Sequence, residues 1–124
     1  VYTHHDAERI IRNKACASIN IKFAKSGGIT EAIKINDVAE KNNIPCMMGG
    51  MLESRLALTA KVHFAMAMQN IIFYDLDTCL LGHKVDPVLG GAQYKGMELI
   101  ANDTPGIGAS VDPTFLETLE STTI

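Results

Sequence analysis

The sequence lacks an excess of positive charge, and this limits the partners that it can bind. Its 124 residues include 11 Lys and Arg against 14 Asp and Glu, which gives a formal net charge of −3 at pH 7. Nucleic-acid binding depends on lysine and arginine side chains that neutralise phosphates. We therefore expect no nucleic-acid partner.

Long apolar runs and paired cysteines are also missing. Charged residues interrupt the apolar stretches, as Lys61 does within residues 56–68, and none approaches the ~20 residues that span a bilayer. The cysteines Cys16, Cys46 and Cys79 are far apart and odd in number, so they form neither a disulfide framework nor a paired metal-ligand motif. We expect no membrane partner, reduced and buried thiols, and a cytoplasmic protein.

What the sequence contains is a regular alternation of amphipathic helices and short apolar strands. Strands are predicted to end near Lys22, Met48 and Asp75, about 26 residues apart, with one helix in each interval. A further helix is predicted before the first strand, opened by a capping box between Thr3 and Asp6. Strands that alternate with helices form a parallel sheet, and apolar strands of this kind are covered on both faces.

Three such βα units fit a (β/α)₈ barrel or a doubly wound sheet. The dinucleotide-binding sheet needs a G-x-G-x-x-G turn after its first strand, which Gly27-Gly28 and Gly49-Gly50 do not supply. A barrel needs about 250 residues, three strands alone would leave two bare edges, and the chain begins at Val1 instead of Met. We expect an α/β fold that comprises the C-terminal three βα units of a (β/α)₈ barrel and is incomplete as a single chain.

The chain changes character after residue 78. Three of the four prolines and most of the glycines lie beyond residue 80. We expect residues 1–78 to form the partial barrel and residues 79–124 to form a closing segment that packs against the barrel and against a capping domain missing from this chain. In this segment the pattern predicts a strand over residues 93–100, a turn at Pro105-Gly106 and a short helix after Pro113.

Lys22 stands out because it lies between apolar neighbours in a predicted strand and points to the opposite face from them. Either its amine reaches water at the mouth of the strand, or it acts as a general base. Burial and a nearby cation both lower the pKa of an amine towards neutrality, where it can take and return a proton. Lys25, beside the loop, is expected on the surface.

Asp75 and Asp77 form a second candidate site. Carboxylates at positions i and i+2 of an extended segment share a face, and they repel each other unless a cation lies between them. That cation could be a metal ion, an ammonium group or an arginine, although an isolated Asp-x-Asp is a weak metal signal. The alternative is that Asp77 caps the turn that follows.

The other candidates have structural explanations. Glu53 is expected at the start of the third helix, where the helix dipole favours a carboxylate, and His63 within that helix is expected to be a packing residue. That helix should bury Leu56, Ala60, Phe64 and Ala67. No partner is predicted for His4, His5 or His83.

Three motifs together resemble a known family. They are Asn20-Ile-Lys22-Phe-Ala-Lys25-Ser-Gly-Gly-Ile29, Met48-Gly-Gly-Met-Leu-Glu53 and Phe73-Tyr-Asp75-Leu-Asp77. They resemble the enolase superfamily, within it the muconate-lactonizing-enzyme branch, and there the dipeptide epimerases of the L-Ala-D/L-Glu type. The similarity extends over nearly the whole chain.

The resemblance implies an isomerase that inverts the α-carbon of the second residue of a dipeptide by proton transfer between two lysines. Lys22 matches the catalytic lysine at the end of the sixth barrel strand. Asp75 and Asp77 match the pair that holds the ammonium group of the dipeptide. The turn residues Gly50, Met51 and Leu52 match the stretch that lines the substrate backbone. L-Ala-D/L-Glu from cell-wall peptide turnover is the implied substrate.

The resemblance also implies Mg²⁺, which stabilises an enediolate. Its three carboxylate ligands, the second lysine and a capping domain would lie before Val1, so no metal ligand is expected in this chain. The expected partners are the dipeptide and the N-terminal part of the same enzyme, and a homo-oligomer is compatible with the sequence. This piece alone is expected to be inactive.

Two alternatives stay open. An o-succinylbenzoate synthase, N-succinylamino acid racemase or lactonizing enzyme of the same superfamily would share the lysine without needing two carboxylates for an ammonium group. A barrel that has lost its chemistry and only binds is the alternative from another class.

Overall fold

The computed structural model describes residues 1–81 and 83–122, in which short helices alternate with short strands. Their order along the chain is α1 (His4–Arg12), β1 (Ile19–Ile21), α2 (Phe23–Ser26), α3 (Ile29–Lys41), β2 (Cys46–Gly49), α4 (Arg55–Ala67), β3 (Ile71–Asp75), a 3₁₀ turn (Thr78–Leu80), β4 (Val88–Gly90), β5 (Gln93–Lys95), β6 (Glu98–Ile100), β7 (Ala109–Val111) and α5 (Pro113–Leu116). None of the described helices combines the length and apolar character that crossing a bilayer requires.

Strands β1, β2 and β3 form a parallel sheet in that order. Ile21 pairs with Met48, and Gly49 pairs with Asp75, so the carboxyl ends of the three strands meet at one edge. This confirms the predicted alternation and the parallel pairing. The first strand ends at Ile21, beside the predicted end near Lys22, because Lys22 is the residue that precedes α2.

The first helix is capped as the sequence predicts. The Thr3 hydroxyl accepts a hydrogen bond from the Asp6 backbone N–H, and the Asp6 carboxylate accepts one from the Thr3 N–H in return. The prediction that His4 has no partner is wrong, since its Nδ1 lies 2.5 Å from the Glu31 carboxylate. The contact between His4 and Glu31 attaches α1 to α3.

The core lies between the sheet and the helices that cover it. Its most deeply buried large apolar side chains come from both layers, namely Ile21, Ile35, Met48 and Leu58. Helix α3 buries Ala32, Ile35, Asn36 and Ala39, and Val38 on the same side is half-buried. Of the three thiols, all free, only Cys46 is buried, so the expectation that all three are buried is wrong.

Helix α4 does not bury the predicted stripe. Of that stripe only Phe64 is buried, and Leu58, Val62 and Ala65 take the places of the other three. The helix is turned because two polar residues, Thr59 and Lys61, are on its buried face, and each has a partner there. A pattern of apolar residues alone therefore gave the wrong face.

The described residues beyond 81 contain two small antiparallel pairs of strands and the short helix α5. The predicted strand over residues 93–100 is instead the hairpin β5–β6, in which Tyr94 pairs with Leu99. Gly96 has a φ of +61°, which permits the tight turn between the two strands. Strands β4 and β7, which the sequence did not predict, pair through Val88 and Val111.

Arg55, the first residue of α4, binds this later segment. Its guanidinium group donates hydrogen bonds to the backbone carbonyls of Val88, Gly90 and Ala92. Its Nε lies 2.5 Å from the carboxylate of Asp86. One half-buried arginine therefore satisfies several carbonyl groups around β4 and attaches them to the helix.

Replacing Arg55 by methionine is expected to loosen residues 86–92 while the sheet stays folded. The three carbonyls would lose a charged donor, and each hydrogen bond to a charged group contributes about 1.5–3 kcal/mol. Hydrogen exchange in the full-length protein should become faster at the amides of residues 86–92 and stay unchanged in β1–β3. Arg12→Met, at an exposed helix end, is the control. Equal protection of residues 86–92 in the Arg55 variant and the parent would contradict this role.

Candidate active site

Lys22 lies where the chain leaves the sheet. Its backbone is still extended, with φ −130° and ψ 118°, and it is the residue that precedes the short helix α2. The Lys22 carbonyl accepts hydrogen bonds from the N–H groups of Lys25 and Ser26, at 2.9 and 3.0 Å. Helix α2 then ends at Gly27 in the left-handed region, at φ 75°. The Lys22 backbone is thus fixed between β1, which ends at Ile21, and α2, whose residues donate to the Lys22 carbonyl.

The amine of Lys22 contacts the turn that follows β2. Its Nζ donates a hydrogen bond to the Gly50 carbonyl at 2.6 Å and lies 4.0 Å from the Met51 sulfur. The side chain is half-buried. This lysine therefore links the residues that follow β1 and β2, 28 positions apart in the sequence, at the edge where the paired strands end.

An open pocket of about 280 Å³ lies beside this contact. Its walls are formed by Val1, Tyr2, Asn20, Lys22, Lys25 and Met51. Lys25 is exposed, as predicted. The predicted lysine and one of the predicted turn residues thus share a single concave surface at the edge of the sheet where the strands end.

The turn after β2 depends on its two glycines. A Cβ atom at Gly49 would collide with the side chain of Asn20, and one at Gly50 would come within 2.9 Å of Thr78. The end of β2 can therefore lie close to Asn20 of β1, and the residue after it close to the 3₁₀ turn, only without side chains at these two positions. Met51 is half-buried, whereas Leu52 is 65% exposed.

Asp75 and Asp77 follow the third strand. Asp75 is its last residue, half-buried and in register with Gly49. Asp77 is exposed, and its dihedral angles of −94° and −6° begin the 3₁₀ turn. The extended backbone therefore ends at Asp75, and strand alternation does not extend to Asp77.

Both carboxylates are available to a ligand. The Asp77 side chain makes no capping hydrogen bond, although its residue precedes the 3₁₀ turn. Within residues 1–81 and 83–122, neither carboxylate forms a hydrogen bond or an ion pair with another side chain. Among the described residues, both carboxylates therefore lack a side-chain hydrogen-bonding partner and can accept a hydrogen bond from a ligand.

The fold and this geometry can be compared with known proteins. Residues 1–115 match the family described as Enolase C-terminal domain-like. The chain belongs to this family. That result confirms the resemblance drawn from the three sequence motifs.

Members of this family with known activities are similar over most of the chain. The D-Ala-D/L-Ala epimerase of Cytophaga hutchinsonii is 44% identical over 116 residues, which cover 93% of this chain and 31% of that protein. The L-Ala-D/L-Glu epimerase of Clostridium acetobutylicum is 43% identical over 108 residues, or 87% of this chain and 30% of that protein.

A solved structure is also similar. The crystal structure of the dipeptide epimerase from Cytophaga hutchinsonii, complexed with Mg and the dipeptide D-Ala-L-Val, has a TM-score of 0.92 and 41% identity. The match covers 97% of this chain and 33% of that one. The chain spans about a third of the length of the relatives that it matches.

A metal site needs several metal-binding side chains close together, and the described residues of this chain do not contain such a cluster. No group of three or more His, Cys, Asp or Glu side chains among residues 1–81 and 83–122 is arranged to hold a metal ion. Mg²⁺ requires oxygen ligands in near-octahedral geometry. The described residues therefore do not fit that ion.

Sequence reasoning missed the partners of Glu53. The prediction that Glu53 begins a helix is wrong, because α4 begins at Arg55. The Glu53 carboxylate instead contacts the ammonium group of Lys61, which is 1% exposed. A lysine inside an otherwise apolar helical stretch was the available signal. His83, for which no partner was predicted, places its Nε2 3.0 Å from the Glu53 carbonyl oxygen.

Two further contacts support the site from the later segment. The Tyr94 hydroxyl of the hairpin donates a hydrogen bond to the Leu76 carbonyl at 2.6 Å, between the two aspartates. Burial raises the pKa of Tyr94, so the hydroxyl keeps its proton and remains a donor. His63 packs within α4 as expected, with its Nε2 3.3 Å from the Ile107 carbonyl oxygen.

Proposed function

We propose that this chain forms three βα units of a (β/α)₈ barrel in a dipeptide epimerase, with residues 79–124 closing against them. The parallel sheet with helices between its strands supports the barrel. The coverage of about a third of each related epimerase supports a larger enzyme. The names of those relatives support epimerisation at a dipeptide α-carbon.

In this proposal the amine of Lys22 removes or returns the α-proton of the second residue of the dipeptide. The observation that carries it is the hydrogen bond from Lys22 Nζ to the Gly50 carbonyl beside the pocket. That bond restrains a long flexible side chain, and restraint of the reacting group is a major source of rate enhancement. A second lysine, in the part of the enzyme that this chain does not span, acts on the opposite face.

The remaining candidate residues bind substrate. Asp75 and Asp77 hold the ammonium group of the dipeptide, since their carboxylates lie at and just after the end of β3 and have no side-chain partner among the described residues. Gly50, Met51 and Leu52 line the peptide backbone. The Mg²⁺ of the related crystal complex would be held by residues outside this chain. We assign the reaction to the cytoplasm and to cell-wall peptide turnover, and the three free cysteines support a reducing compartment.

The proposed activity is tested with a substrate panel on the full-length enzyme that contains this chain. Dipeptides of the L-Ala-Glu and Ala-Ala types, hydrophobic dipeptides and N-succinylamino acids are each incubated with Mg²⁺ and separated by chiral chromatography. We expect inversion at the second residue of at least one dipeptide class. Turnover of the N-succinylamino acids without any dipeptide would replace the proposal with the succinylamino acid racemase alternative.

A further inference from the structure

A buried ion pair lies next to the candidate site and has no role in the chemistry proposed so far. Lys61, in the middle of α4, is 1% exposed, and its ammonium group contacts the carboxylate of Glu53, whose side chain is 17% exposed. Lysine is almost never fully buried without a partner, because removing its charge from water is costly. The pair therefore satisfies two charges inside the protein.

The ion pair is connected to Lys22 through the turn after β2. The Glu53 oxygen that contacts Lys61 also accepts a hydrogen bond from the Met51 backbone N–H at 3.3 Å. Met51 directly follows Gly50, whose carbonyl accepts the hydrogen bond from the Lys22 amine. A continuous series of contacts therefore links Lys61 on α4, through the turn, to the amine of Lys22, the predicted proton carrier.

The pKa of Lys61 depends on its burial and on charged groups of the candidate site. Burial is the main cause that lowers the pKa of Lys61 to about 8, and the Lys22 ammonium group also lowers it. The Asp75 carboxylate acts in the opposite direction.

Stability alone does not explain such a pair. Replacing a buried ion pair by apolar residues of similar size is often neutral or stabilising, whereas removing one partner leaves an uncompensated charge. The position of the turn supplies another explanation, because no other side-chain carboxylate among the described residues accepts the Met51 N–H.

We propose that Glu53 and Lys61 are positioning residues, which fix the turn at residues 50–53 and, through the Gly50 carbonyl, the amine of Lys22. Neither residue touches the reacting atoms. The inference rests on the proposed function for its effect on rate, but not for its effect on the position of Lys22.

The kinetic test compares single and double variants of the full-length enzyme. Glu53→Met and Lys61→Met should each lower Tm, and the double variant should recover most of that loss. Its kcat should stay depressed by about 10- to 100-fold with little change in KM, because misplacing a reacting group by about 1 Å costs on the order of 100-fold. Recovery of kcat together with Tm would show that the pair is merely structural.

A second measurement does not depend on activity. Lysines are acylated with acetic anhydride under limiting conditions, and labelling at Lys22 is compared by mass spectrometry with that at Lys41, an exposed lysine at the end of α3. Without the Glu53 carboxylate the turn is no longer fixed at the Met51 N–H. Labelling of Lys22 should therefore rise severalfold in the Glu53→Met and double variants. Glu40→Gln, an exposed carboxylate on α3, is the control and should leave it unchanged.

The two measurements separate the hypotheses. If the parent enzyme epimerises no dipeptide, the proposed function fails, and the labelling still decides whether Glu53 and Lys61 position Lys22. If Lys22 labelling is the same in the double variant and the parent, the positioning role is refuted whatever the kinetics show.

Discussion

Replacing Lys22 by alanine in the full-length enzyme is expected to lower kcat for dipeptide epimerisation by about 10²- to 10⁴-fold, the range that a positioned general acid or base contributes. The alanine variant keeps the pocket but has no group that can accept or return a proton beside Gly50. The fold should survive, because Lys22 is half-buried and contributes one side-chain hydrogen bond to a backbone carbonyl. Initial rates at saturating dipeptide, with circular dichroism as a check on folding, provide the measurement.

Two further variants separate proton transfer from charge. Lys22→Arg keeps a cation and a donor for the Gly50 carbonyl, but a guanidinium group is not deprotonated in proteins. It should therefore be as inactive as the alanine variant. Lys41→Ala removes an exposed lysine at the far end of α3 and should keep the parent rate. An arginine variant with near-parental kcat would show that Lys22 is not the proton carrier.

The second large effect is expected at Asp75 and Asp77. Changing both to asparagine removes two negative charges and leaves the side-chain shape nearly unchanged. Each hydrogen bond to a charged group contributes about 1.5–3 kcal/mol, so kcat/KM for dipeptides should fall by about 10- to 150-fold for each carboxylate. The loss should appear mainly in KM, because the ammonium group is bound equally before and during proton transfer.

A substrate without the ammonium group provides the control. N-acylated dipeptides should be poor substrates of the parent, and the Asp75→Asn/Asp77→Asn variant should lose nothing further with them. Glu40→Gln removes a negative charge from an exposed position on α3. It should leave kcat/KM unchanged for both the free and the N-acylated dipeptides. An equal loss with free and N-acylated dipeptides would show that the aspartates do not bind the amino terminus.

The parts of the fold that could be predicted from the sequence are those set by local pattern. The capping box at Thr3 and Asp6 and the alternation of strands with helices follow from residues close together in the chain. The parallel sheet follows in turn, because a strand, a helix and a strand in succession have few other arrangements. The candidate residues at the strand ends could therefore be placed at one edge of the sheet.

The parts that were missed depend on contacts between distant residues. Thr59 is buried because its hydroxyl accepts the N–H of Ala92, 33 residues away, and this turned α4 from its predicted face. The sequence predicts one strand where the structure has the hairpin β5–β6. A single glycine, Gly96, followed by Met97 is a weak signal for a hairpin turn. The sequence predicts Glu53 at the start of a helix, because the spacing of residues along the chain does not indicate that Glu53 pairs with Lys61.

The most direct test of Lys22 as a proton carrier is solvent exchange with each epimer of a dipeptide substrate in D₂O. The parent full-length enzyme should introduce deuterium at the second α-carbon of both epimers, as followed by NMR. The Lys22→Ala variant should invert neither epimer. It should lose exchange with the one epimer whose α-proton faces position 22 while the opposite lysine still exchanges the other. Exchange of both epimers at parental rates by this variant would contradict the proposed mechanism.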